Sequence, residues 1–123
     1  GDSAVKIADF GFAKKVLSPK SLSTQCGTPG YVAPEILEGT PYDTKADMWS
    51  VGVILYILLG GYPPFIENNQ RELFRKIRRG DYEVCDPSFS ICVSFLTLLV
   101  FLSNERIGQE HNRTYYSLSS SRD

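Results

Sequence analysis

Charge of either sign is nowhere in excess in this chain. Thirteen Lys and Arg stand against fourteen Asp and Glu, a formal net charge of -1. So balanced a surface has no global field to draw in nucleic acid or an anionic membrane, and neither is expected as a partner; any contact must be chosen locally. Cysteine is scarce too: Cys26, Cys85 and Cys92 are odd in number, far apart, and accompanied by a single histidine. This suggests neither a disulfide framework nor a zinc site, and favours a reducing compartment, cytoplasmic or nuclear. Missing as well is an apolar run of the roughly twenty residues that a bilayer span needs. The opening Gly1-Asp2-Ser3-Ala4 has no initiator Met, no basic stretch and no apolar signal core. No secretory leader is expected, and the chain is expected to begin inside a domain. No internal repeat is visible.

What is present suits one globular domain. The 123 residues are 42% hydrophobic and 22% charged, enough for a core. Val5-Lys6-Ile7-Ala8 alternates and reads as a short strand, with a second extended piece over Phe12 to Val16 closed by Ser18-Pro19. Lys20 to Gly30 is small, polar and turn-forming, a loop expected to move unless something pins it. Val32 to Leu37 suggests a short helix stopped by Glu38-Gly39. Thr44 to Leu59 is the clearest helix, with Thr44 and Asp47 in capping-box register and Gly60-Gly61 as its stop. Its side chains are apolar nearly all round, which predicts burial on every side and more surrounding protein than the chain clearly supplies. Asn68 or Asn69 is placed to cap a further helix that reaches Arg79, with Gly80 after it. Leu73, Phe74 and Ile77 share one face of that helix, and Arg71, Arg75, Lys76, Arg78 and Arg79 cover the solvated remainder.

Past Pro87 the character changes. Ser90 to Leu102 is apolar and β-rich, of the kind that aggregates when exposed, and Tyr115 to Asp123 is polar and Ser-rich. Asn112-Arg113-Thr114 matches a glycosylation triplet by chance, since no secretory signal accompanies it.

Four blocks carry chemistry. They are Asp9-Phe10-Gly11-Phe12-Ala13-Lys14, then Cys26-Gly27-Thr28-Pro29-Gly30-Tyr31-Val32-Ala33-Pro34-Glu35, then Asp47-Met48-Trp49-Ser50-Val51-Gly52-Val53, then Gly61-Tyr62-Pro63-Pro64-Phe65. In this order and spacing, residues 5 to about 84 resemble the C-terminal lobe of a serine/threonine protein kinase, closest to the calcium/calmodulin-dependent group. The resemblance implies a mainly α, partial kinase C-lobe: an activation segment plus two or three helices, without the N-terminal lobe. Residues 1–87 would form that part, and 88–123 a non-matching tail. The tail reads as intron read-through or a frameshift, with a lineage-specific extension as the alternative.

By the same resemblance Asp9 is a Mg²⁺ ligand serving ATP, because a carboxylate-held metal neutralises the transferring phosphate. Phe10 would pack inward to set it, and Gly11 would let the backbone turn. Thr24 corresponds to the activation-loop phosphosite, with Ser21 and Ser23 adjacent and Lys14 and Lys15 as local partners for a phosphate. Gly27, Thr28, Pro29, Gly30 and Tyr31 correspond to the platform that holds the substrate residue after the phospho-acceptor. Glu35 and Asp47 are structural supports, the first for a downstream arginine and the second for the catalytic-loop backbone. No residue is assigned as catalytic base, since the sequence holds no His-Arg-Asp loop; it also holds no Gly-rich phosphate loop and no strand Lys paired with a helix Glu. Protein substrates and an upstream activating kinase are the implied partners of a parent enzyme. The chain alone is expected to be inactive and to bind ATP-Mg²⁺ poorly. A non-catalytic interaction module and a truncated, mistranslated product remain as alternatives.

Overall fold

In a computed structural model that describes residues 4–82, three helices follow one another: α1 (Pro34–Leu37), α2 (Lys45–Gly60) and α3 (Gln70–Arg79). A single 3₁₀ turn, Pro29–Tyr31, precedes them. The mainly helical class expected from the sequence is therefore observed. The boundary at Pro87, the apolar run after it, the glycosylation triplet and the Ser-rich end lie outside the described residues.

Each helix end has an identifiable cause. Pro34 opens α1 at its first position, where a missing N–H costs nothing. Val32 and Ala33 stay extended, Ala33 at ψ 150, because a residue before proline is pushed out of the helical region. The helix expected from Val32 thus starts two residues later. It stops where Gly39 turns left-handed at φ 71, and Thr40 then closes the turn on the Glu35 carbonyl through its amide at 3.1 Å and its hydroxyl at 3.0 Å.

For α2 the expected cap moves by one residue. Thr44 is itself helical and makes no side-chain cap, while the Asp43 carboxylate accepts the Lys45 amide at 2.9 Å. A short carboxylate just before the first turn satisfies a free amide and suits the positive helix end. Gly61, left-handed at φ 76, ends the helix as expected. Asn69 rather than Asn68 caps α3, its side chain accepting from the Arg71 amide at 2.8 Å. At the far end Gly80 is left-handed and donates to Ile77, while Asp81 donates to Lys76, the paired bonds of a Schellman stop.

The core sits where α3 and α2 meet the 3₁₀ turn and α1. Ala33, Ala46, Trp49, Val53, Phe65 and Ile77 form it, with Trp49 stacked on Phe65 at 5.8 Å between centroids. Tyr56 meets Tyr62 and Tyr82 edge-on at 5.5 and 6.3 Å, which draws the Gly61–Phe65 turn and the residues after α3 onto α2. Arg78 reaches across to the Leu37 carbonyl at 3.3 Å and ties α3 to the end of α1.

Two expectations fail. The all-round burial of α2 is one: Ala46, Trp49, Gly52, Val53 and Tyr56 face inward, while Met48, Val51, Ile54, Leu58 and Leu59 are exposed. Among the described residues, protein covers one side of this helix only. The strand over Val5 to Ala8 is the other, since no strand occurs among the described residues, and the Phe12–Val16 piece pairs with nothing there either. Val5 is 97% exposed and Ile7 84%. A strand needs a neighbour to take its amides and carbonyls, and none lies beside these segments among the described residues. The pairing that does occur is a bridge between Leu22 and Tyr42.

Candidate functional site

Asp9 begins the site in a left-handed conformation, φ 63, which Asp tolerates better than most residues. Its Oδ1 accepts the Gly11 amide at 3.3 Å, and the Ala13 amide closes a turn on the Phe10 carbonyl at 3.0 Å. The Asp-Phe-Gly block is thus a tight exposed turn. Phe10 is 68% exposed, so the inward packing implied for it is replaced by an outward ring. Its neighbours from residue 4 to residue 15 are exposed as well.

Along the next stretch the loop is pinned rather than free. Leu22 and Tyr42 exchange backbone hydrogen bonds of 3.2 and 2.9 Å, and the Tyr42 hydroxyl donates to the Thr24 carbonyl at 2.7 Å. The Lys14 ammonium donates to the Thr24 hydroxyl at 3.4 Å, so the basic residue and the hydroxyl paired from the sequence do meet. Tyr42 stands half-buried against the core cluster. Burial, with Cys26 and then Asp47 nearby, pushes its phenol above the usual tyrosine range, which keeps it a donor at neutral pH.

The platform turns on Gly27, at φ 125, where an added Cβ would lie 2.8 Å from Val32 Cγ2. Thr28 accepts the Tyr31 amide at 2.9 Å, closing the 3₁₀ turn over Pro29 and Gly30. Ser50 on α2 donates its hydroxyl to the Tyr31 carbonyl at 2.9 Å, fixing the platform to the helix. Beneath lies an open pocket of ≈ 200 Å³ whose walls include Cys26, Gly27, Pro29, Val32, Ile36 and Phe74. Gln25 and Gln70 also line it, and the remaining, mostly apolar wall suits an apolar side chain. Glu35 sits half-buried in the first turn of α1, and Asp47 is exposed in the first turn of α2, on the side of Tyr42.

The structure therefore brings Lys14 to Thr24, and Thr24 to Tyr42 and the platform, but leaves Asp9 apart in its own turn. Sequence reasoning missed Tyr42, Ser50 and Arg78, each of which bonds to a main-chain carbonyl far off in sequence. Only the aromatic residue between Pro41 and Asp43, an unusual body in a turn, offered a signal. A metal does not fit these residues as they stand. Asp9 supplies one exposed carboxylate already engaged by Gly11, and no cluster of three ligating side chains occurs among the described residues.

Residues 1–110 match the protein kinase domain family. A probable myosin light chain kinase of Dictyostelium discoideum is 52% identical over 89 residues, covering 72% of this chain and 26% of that protein. A second such kinase from the same organism is 45% identical over 108 residues, 85% of this chain and 28% of its own. Human calcium/calmodulin-dependent protein kinase type 1B is 51% identical over 86 residues, 70% of this chain and 25% of its own. The chain spans about a quarter of the length of these curated relatives. It belongs to the protein kinase domain family, and what is described here is a mainly helical part of a C-lobe like that of the calcium/calmodulin-dependent serine/threonine kinases.

Proposed function

We propose that residues 1–87 are a partial C-lobe, carrying the activation segment and substrate platform, of a serine/threonine kinase whose whole protein transfers the ATP γ-phosphate to protein hydroxyls. The observation that carries this is Thr24, held by its main chain beside the platform with its hydroxyl next to Lys14. A phosphate there would add nearly two negative charges within reach of that ammonium. Thr24 is then the site an upstream kinase modifies. The apolar pocket under Gly27 to Tyr31 takes the substrate side chain after the acceptor. A reducing, cytoplasmic or nuclear setting belongs to the same reading.

The 123 residues by themselves transfer no phosphate in this reading. Phosphoryl transfer demands a base, a phosphate-covering loop and more than one metal contact. Of these, the described residues contribute the Asp9 carboxylate. Incubating the purified chain with labelled ATP, Mg²⁺ and a generic basic peptide checks this. Incorporation is expected to equal that of Asp9→Ala, and any excess over that variant overturns the proposal. The pocket being formed within these residues favours a second reading, a non-catalytic module that holds peptides. Retention of the peptide without phosphate incorporation in that same experiment is its expected mark.

A further inference from the structure

Between Lys20 and Gly30 the loop has little apolar surface of its own, yet it follows a defined path. Three hydrogen bonds to the loop's main chain set that path, and all three join it to one residue outside the loop. The Leu22 amide reaches the Tyr42 carbonyl at 3.2 Å, the Tyr42 amide reaches the Leu22 carbonyl at 2.9 Å, and the Tyr42 phenol reaches the Thr24 carbonyl at 2.7 Å. We propose that Tyr42 is a latch: a positioning residue that locks the main chain around Thr24 onto the core while leaving the Thr24 hydroxyl outside, free for modification.

Atom choice separates this from an incidental contact. The phenol takes a backbone oxygen of Thr24, so the Thr24 side chain is not consumed; its contact is the flexible Lys14 ammonium at 3.4 Å. The ring itself rests against the cluster containing Ala46 and Trp49, which makes the anchor rigid. Cys26 lies beside the same phenol, so the loop crosses this side chain along its course from Leu22 to Cys26. A substituent on the Thr24 hydroxyl then projects away from the latch, and its charge acts on Lys14 without prising the loop off. A loop of small polar residues held by one bridge and one phenol is otherwise expected to open locally. The latch stands on geometry alone; its use in presenting Thr24 rests on the kinase reading above.

The test uses the full chain and Tyr42→Phe, which keeps the ring and its packing and removes the O–H donor. Loss of one such hydrogen bond should make local opening about fivefold more frequent. The expected results are correspondingly faster hydrogen exchange at residues 22 to 26 and faster tryptic cleavage after the exposed Lys20, with α3 amides unchanged. Unchanged loop exchange and cleavage in this variant overturn the latch. Should α3 protection fall as well, Leu22→Pro decides, since it removes the Leu22 N–H and keeps Tyr42: loop-only opening supports the latch and an unaltered loop overturns it. Thr24→Glu should leave the protection of the Leu22 and Tyr42 amides intact, and its loss there counts against the outward hydroxyl. Mapping phosphate on the chain recovered from cells separates the two ideas. An unmodified Thr24 removes the phosphosite reading, while the exchange data still judge the latch.

Discussion

Gly27 is where a single missing side chain shapes the substrate platform. At φ 125 an L-residue is strained, and the space a Cβ would enter is held by Val32 Cγ2 at 2.8 Å. Val32 is itself 7% exposed, so it cannot swing clear into solvent. Strain of this kind costs about 1–3 kcal/mol. Gly27→Ala is therefore expected to lower the unfolding free energy from urea titration by that order and to shrink the pocket beside it; a free energy within error of wild type would refute it. At this scale the sequence was informative about chemistry and poor about contact. The pairing of Lys14 with Thr24 was readable because both residues flank one loop and carry complementary groups. Tyr42 was not readable, because a phenol bonding a carbonyl 18 residues away leaves no periodic trace. Phe10 shows the opposite case, a residue whose implied inward packing depends on neighbours absent from the described residues, leaving it 68% exposed.

Helices were the most legible elements, and their ends tell why. Gly61 after the Leu59-Gly60 pair and Gly80 after Arg79 stop α2 and α3 through left-handed backbone that other residues avoid, so both C-termini could be placed from residue type. The N-termini were less secure because several short polar residues compete for each cap. Asp43 wins over Thr44 at α2, and Asn69 over Asn68 at α3. Replacing Asn69 by Ala leaves the Arg71 amide without its acceptor, at a cost of about 1 kcal/mol. Asn68→Ala, by contrast, is expected to fall within about 0.5 kcal/mol of wild type, as an exposed substitution away from a cap does. Thermal unfolding of the pair of variants checks this, and equal losses would mean that both residues share the cap. Strands were misread at the other extreme. Val5 to Ala8 alternates correctly, but alternation describes a half-buried surface, and the described part offers no sheet for it to join.

For the molecule as a whole, α2 exposes the relation between this chain and the lobe it belongs to. Its inward face, with Trp49 and Tyr56 each 1% exposed, is finished by α1, α3 and the Gly61–Phe65 turn. Its outward face presents Val51, Ile54 and Leu58 at 47%, 49% and 76% exposure, an i, i+3, i+7 stripe of the kind a helix buries. Apolar surface left in water this way drives association with whatever apolar surface is near. The purified chain is accordingly expected to self-associate, and the combined Val51→Lys, Ile54→Glu, Leu58→Lys variant to sediment nearer the monomer. Because those side chains gain little from burial within the described fold, each substitution should cost no more than about 0.5 kcal/mol of unfolding free energy. Val53→Lys, next to Ile54 in sequence but on the inward face and 4% exposed, should instead abolish cooperative unfolding, since it forces a charge into the Trp49–Phe65 core. Sedimentation and thermal unfolding on the same samples separate the two faces. If the outward triple variant melted as early as Val53→Lys, the stripe would have to be covered in the folded chain, and the one-sided burial of α2 would be wrong.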